Sequence, residues 1–439
     1  MTIKTTAERP SLLTAVRNIN LRAYGMIIAL VSIMVLFQVL DVVMQNQNFI
    51  TPRNLTNVIL QNSYILILAI GMMLVIINGH IDLSVGSVLA FCGAVSAIAL
   101  SDWGLPWYLA VLVAVGTGAL IGVWQGFWIA FVRIPAFIVT LAGMLLFRGL
   151  TLKVLGAETV GTSGPYNDLA SGYTIAGVDL RMPTLVIGIA GAALYVALAV
   201  RSRSRQVKAG IAGSSQAAWL TKVVVLAAVI VAAAFTFYSY KGLPLIGWIL
   251  LALVLVYTFI ANRTVFGRHI YAGGGNEKAA MLSGVKTKHT SFWVFVNMGA
   301  LAGLAGVIVT ARLQAATPDA GNMFELHAIA SSFIGGASMT GGVGTIIGAV
   351  IGGLVMGVMN QGMRVLGVAT DTVQVVLGLV VLAAVFFDVW NKKRASAGPI
   401  VGTTPGGSGE AKRKGGGPDG SGPAGDKPKD KEPEPVGAE

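Results

Sequence analysis

Charge is scarce in this chain of 439 residues: 11% are Asp, Glu, Lys or Arg, under half the roughly 25% of a soluble globular protein. That scarcity excludes a water-soluble monomer. Cysteine is nearly absent as well, and the single Cys92, inside an apolar stretch, cannot close an intrachain disulfide and reads as a small core side chain. The four histidines, His80, His269, His289 and His327, lack metal-ligand spacing. No Gly-x-x-x-x-Gly-Lys-Ser/Thr phosphate loop occurs, and the glycine triplet 273–275 does not follow a strand. No catalytic cluster, metal or cofactor is expected, and any nucleotide-driven engine sits on another chain.

What is abundant is apolar surface. Hydrophobic residues make up 55% of the chain with glycine left out. Twelve apolar stretches of roughly 20 residues would use about 240 positions, leaving loops but no large soluble domain. They fall at 24–40, 58–77, 83–100, 106–131, 136–155, 184–200, 223–238, 243–261, 292–311, 325–338, 343–363 and 373–390. The expected fold is all-α: a polytopic transmembrane helical bundle of about twelve spans, with ten the lower alternative. The first stretch follows Lys4, Arg9, Arg17 and Arg22 but ends without a small-residue cleavage site, so it reads as a start-transfer span. The piece 325–338 is short and runs into the glycine-rich 335–344, so a re-entrant half-helix is the alternative there. An even count is favoured because basic residues flank both ends of the membrane region.

The net charge is +12, from 31 Lys+Arg against 19 Asp+Glu. These cations lie in loops and form no basic face of a soluble reader, which argues against nucleic acid. Arg201, Arg203, Arg205, Lys208 and Lys222 crowd one loop without an acid; Arg263, Arg268, Lys278, Lys286 and Lys288 crowd another beside Glu277. The positive-inside rule puts both loops and both termini in the cytoplasm. Lys153, Lys241, Arg312 and Arg364 fall on the outer side as isolated exceptions. The expected organisation is a cytoplasmic tail over 1–21, a membrane domain over 22–394 with a cytoplasmic loop over 263–289, and a cytoplasmic tail over 395–439. The last is rich in Gly, Pro and both charge signs, and too poor in apolar residues to fold.

Small residues recur at every fourth position, as in Gly118, Gly122 and Gly126, Gly299 and Gly303, and Gly348 and Gly352. Such spacing lets helix backbones approach closely, within the bundle or at a subunit interface. The loop around Gly273-Gly-Gly-Asn-Glu-Lys-Ala-Ala-Met-Leu-Ser-Gly284 opens with helix-breaking glycines, continues with helix formers and closes at a glycine. It is expected to hold a brief helix outside the bilayer, fit for a cytosolic partner.

That segment, with Gly79-His-Ile-Asp-Leu-Ser-Val-Gly86, Ile134-Pro-Ala-Phe-Ile-Val-Thr-Leu141, Leu282-Ser-Gly284 and 328–344, resembles the permease family of bacterial ABC sugar importers for ribose, xylose and galactose. Gly122-Val-Trp-Gln-Gly-Phe-Trp128 and Ala142-Gly-Met-Leu-Leu-Phe-Arg-Gly149 are most similar to the xylose and multiple-monosaccharide branch, as is the extra pair of spans around 201–222. The resemblance runs from about residue 50 to 393. It implies a permease in the bacterial inner membrane, a second and often identical permease copy, an extracytoplasmic sugar-binding protein and an ATPase with two fused nucleotide-binding domains. It also implies that Asn276, Glu277, Lys278, Ala279, Ala280 and Gly284 form the ATPase-coupling loop. Lys278 stands where the family's loop motif begins with Glu, so a contact resting on that carboxylate is not carried over.

Asp82 is the one carboxylate well inside an apolar region. It reads either as a cap, with Ser84, for the next helix, or as part of a sugar path or gate; Asn78 and His80 share its turn. Gln125 with Trp124, Phe127 and Trp128, and Asn297, Gln314 or Asn360, are further pathway candidates, against interface-belt and helix-bridging readings. A secondary transporter would need titratable groups in a cavity, and the chain offers only Asp82 and Glu325. A permease for branched-chain amino acids or another small polar solute is the nearer alternative.

Overall fold

The structure is a computed structural model that describes residues 21–175, 177–210 and 216–396. The two tails expected from sequence lie almost wholly outside the described residues. By its contacts the chain divides into Met1–Lys392 and Lys393–Glu439, and the architecture below is that of the first unit.

In chain order the helices are α1 (Leu21–Gln45), α2 (Pro52–Ile77), α3 (Val85–Ser101), α4 (Trp107–Phe127), α5 (Ala136–Leu155), α6 (Pro165–Ser171), α7 (Arg181–Lys208), α8 (Gln216–Tyr238), α9 (Leu245–Arg263), α10 (Val265–Gly275), α11 (Glu277–Leu282), α12 (Thr287–Leu313), α13 (Phe324–Ile334), α14 (Ile346–Val365) and α15 (Thr370–Ser396). Strands among the described residues are two-residue pieces. β1 (Val160–Gly161) pairs antiparallel with β4 (Ala315–Ala316), and β2 (Thr174–Ile175) with β3 (Val178–Asp179). The all-α fold class is therefore observed.

Among the described residues nine helices are long and apolar enough to cross a membrane, against the twelve or so spans expected. The other three apolar stretches also fold as helix but are shorter: α3 has 17 residues, α13 has 11, and the apolar part of α15 spans Thr370–Ala383. At 1.5 Å per residue α13 is about 17 Å long, roughly half a 30 Å hydrocarbon core. It stops where Gly335 packs on α14. A Cβ there would strike the Gly348 carbonyl, and Gly336 follows at φ +84°.

Burial sorts the spans. In α2, α14 and α12 the apolar windows are 83%, 72% and 67% buried, while in α1, α7 and α8 they are 11% buried. The first group is the core; the second faces outward, as a lipid-exposed helix does. Glycine makes the core contacts possible. A Cβ on Gly118 of α4 would collide with the Gly299 carbonyl of α12, and one on Gly299 with the Gly118 carbonyl; Gly352 meets the Ser331 carbonyl in the same way. The regularly spaced glycines thus serve packing inside the bundle, where close backbone approach replaces the hydrophobic driving force that lipid removes.

Two opposite ends of the bundle follow. At one, Arg312 donates to the Gln61 carbonyl at 2.7 Å and Arg364 bonds the Gln61 side chain. At the other, Gly342 donates to the Ile77 carbonyl at 2.8 Å and the Tyr271 hydroxyl to the Gly344 carbonyl at 2.8 Å.

Candidate functional site

The break between α2 and α3 begins at Asn78, turns through Gly79 at φ +85°, and restarts at Ser84. Asp82 lies inside it, 2% exposed, and its Oδ1 accepts from the Ser84 amide at 2.8 Å and the Ser84 hydroxyl at 2.6 Å. Gln125 of α4 then donates from Nε2 to the same hydroxyl at 2.7 Å. Gly143 of α5 leaves room for this amide, since a Cβ there would stand 2.7 Å from Nε2. Asp82 therefore orders Ser84, the residue before α3, but neither side chain accepts from an amide of α3, so the expected cap is not formed. The Ser84 hydroxyl relays Asp82 to α4 instead.

Glu325, in the first turn of α13, is also buried. A Cβ on Gly86 would collide with its Oε2 and with the Gly321 carbonyl, so Glu325 lies against the first turn of α3. Nearby, Arg148 of α5 donates to the Pro318 and Ala320 carbonyls at 3.2 and 2.7 Å, tying down the segment that leads into α13. Asn78 is turned elsewhere: its Nδ2 donates to the Ser291 hydroxyl of α12 at 2.8 Å. Of the five pathway or gate candidates, Asp82, Ser84 and Gln125 thus form one buried chain, Glu325 borders the same turn, and Asn78 stands apart.

The aromatic residues beside Gln125 do not join it. Trp124, Phe127 and Trp128 are exposed, whereas Gln125 is 2% exposed. Asn297 accepts from the Tyr257 hydroxyl, Asn360 donates to Asn62 at 3.4 Å, and Gln314 ends α12 in the left-handed region at φ +56°. Ser291 was not singled out in the sequence, and Gly86, Gly143 and Arg148 stand in the motifs quoted above without a role assigned to them.

The loop 263–289 folds as α10 and α11. Thr264 caps α10 by accepting from the Gly267 amide at 3.1 Å, and Asn276 caps α11 by accepting from the Ala279 amide at 3.0 Å. The triplet 273–275, expected to break the helix, is helical. Gly274 is required there for another reason: a Cβ would collide with the Ile77 carbonyl. On α11 Ala280 is buried, Ala279 is exposed and Leu282 is 90% exposed. Glu277, Lys278 and Met281 line a cavity together with Gly79–Ile81 of the break and the 129–137 segment. The Thr287 hydroxyl donates to Glu277 at 3.3 Å, and Gly284, at φ +85°, turns the chain toward α12. His80 lines the same cavity; burial lowers its imidazole pKa, and Glu277 opposes the shift.

Among the described residues, nine long apolar helices, a glycine-packed core and a two-helix loop clamped to one end make a multi-pass membrane helical bundle. The chain belongs to the family described as branched-chain amino acid transport system / permease component, which matches residues 54–385. It is 38% identical over 381 residues to the xylose transport system permease protein XylH of Haemophilus influenzae, covering 86% of this chain and 99% of that one. It is 37% identical over 383 residues to XylH of Escherichia coli K12, covering 87% and 95%. To the ribose import permease protein RbsC of Escherichia coli K12 it is 35% identical over 366 residues, covering 83% and 94%. No solved structure matches the chain significantly.

Proposed function

We propose that this chain is the membrane-spanning permease subunit of an ABC importer that carries a monosaccharide across the bacterial inner membrane, with xylose the first substrate to test. The observation that carries this reading is likeness along nearly the whole chain to permeases named for xylose and ribose transport. The family description speaks of branched-chain amino acids, but the most similar relatives named above are sugar permeases, which favours the sugar.

ATP hydrolysis then belongs to a partner chain, an ATPase with two nucleotide-binding domains that receives α11. An extracytoplasmic sugar-binding protein delivers substrate at the end marked by Arg312 and Arg364, and a second copy of this chain completes the pathway. Both termini and the loop 263–289 face the cytoplasm. The exposed Ala279 and Leu282 are the contacts offered to the ATPase, and the chain Asp82–Ser84–Gln125, bordered by Glu325, is the polar element placed to respond when the loop moves. Uptake of labelled xylose, ribose, galactose and leucine by cells lacking the chain, with and without complementation, tests this. Restored xylose or ribose uptake supports it; restored leucine uptake alone overturns it.

A further inference from the structure

A cavity of about 570 Å³ opens beside α11, within the roughly 300–1,000 Å³ typical of small-molecule sites. Arg133, Lys278 and Lys288 stand on its wall with one carboxylate, Glu277. None of the three cations has a hydrogen-bonding or ionic partner among the described residues. Each reaches the cavity from a different element. Arg133 ends the π-helical extension of α4 (Trp128–Val132) at φ +67°, Lys278 is on α11, and Lys288 is in the first turn of α12. The last position is notable because the positive end of the helix dipole already favours an anion there, and Lys288 adds a second positive charge with Glu277 the one carboxylate on the wall.

The rest of the wall is mixed. Ile134, Pro135 and Phe137 give an apolar side. Ser291 accepts from Asn78 and keeps its own hydroxyl proton to donate. Ala279 and Leu282, on the exposed side of α11, are not part of the wall, so a protein seated on that side and a ligand in the cavity use different residues of one helix.

We propose that this cavity is a binding site for a phosphorylated small molecule, its phosphate held by Arg133, Lys278 and Lys288 and its body laid on Ile134 and Phe137. Three cations against one carboxylate suit a dianion better than a neutral sugar or a monocarboxylate. A ligand there touches both Gly79–Ile81 and α11, and so bridges the α2–α3 break to the loop. The phosphate is carried either by a free ester or by a lipid headgroup.

The test is thermal unfolding of the full chain purified and delipidated in detergent, at constant ionic strength. The probes are glucose 6-phosphate, glucose and added phosphatidylglycerol. The expected result is a rise in Tm with the ester and none with glucose, and at least a tenfold weaker response in Arg133→Gln/Lys288→Gln. A rise with phosphatidylglycerol in place of the ester, lost in the same variant, assigns the phosphate to a headgroup. No rise with either probe, or an equal rise in the variant, overturns the site. Should the pair fail to insert, Lys278→Gln on the exposed α11 gives the same comparison, with Lys278→Arg expected to retain the response.

Discussion

Gly274 and Ile77 meet backbone to backbone. A Cβ on Gly274 would collide with the Ile77 carbonyl and stand 2.8 Å from the Gly342 amide, the same amide that donates to that carbonyl. One carbonyl thus joins α10, the end of α2 and the turn after α13. A displacement of the loop 263–289 would therefore press on the residue next to Asn78, at the head of the break that holds Asp82.

Gly274→Ala should loosen this junction. Overpacking a tight contact costs about 1–3 kcal/mol, so the variant should insert, unfold at lower temperature, and take up labelled sugar at under a tenth of the wild-type rate. Gly275→Ala, where a Cβ meets nothing within 4 Å, should behave as wild type. Matching uptake in the two variants would remove the junction from coupling.

Asp82 and Ser84 give a graded series. Asp82→Asn keeps an acceptor for the Ser84 amide and should cost about 1 kcal/mol. Asp82→Ala leaves two buried Ser84 donors unpaired and should cost about 1–3 kcal/mol. Melting of the purified variants checks that order, and uptake separates roles. Wild-type uptake by a well-inserted Asp82→Asn protein would retire a gating part for the charge.

The faces of α11 should also separate. Leu282→Asp and Ala279→Arg alter exposed positions, so protein yield should hold while co-purification with the ATPase falls at least tenfold. Ala280→Arg places a long cation at a residue only 5% exposed and should lower the yield itself. Co-purification unchanged in Leu282→Asp would exclude the outer face as the docking surface.

Orientation is checked by cysteine labelling in a Cys92→Ala background. A cysteine at Lys208 should react with an impermeant thiol reagent only after the membrane is opened, and one at Glu158 in intact cells. Labelling of the Lys208 position from outside would invert the topology.

Helices were legible because each of the twelve apolar stretches is a continuous run, and in a bilayer a backbone without water must bond to itself. Faces were not. In a soluble helix polar residues mark the outside, but lipid is as apolar as a protein core, so nothing in the run around Gln125 shows that the amide points inward and the neighbouring indoles outward. The brief helix in the loop 263–289 was legible by its run of helix formers and its closing glycine. The 273–275 triplet was misread because glycine's low helix propensity is outweighed at Gly274 by a contact no larger residue permits. The contacts of Arg148 and Ser291 were not legible, since their partners lie 170 or more positions away. The Asp82–Ser84 pair was visible because it is local; its tie to Gln125 was not, because it joins residues 41 positions apart.

The seam between Gly118 and Gly299 has a consequence in time. The two positions are about 180 residues apart, roughly 10–40 seconds of synthesis at about 5–20 residues per second. Through that interval α4 is already in the membrane with its notched side uncovered, and only the arrival of α12 fills it. Any nascent chain cut short before Thr287 would leave the ribosome as a set of inserted but unmated helices, and should be the form that membrane proteases remove first.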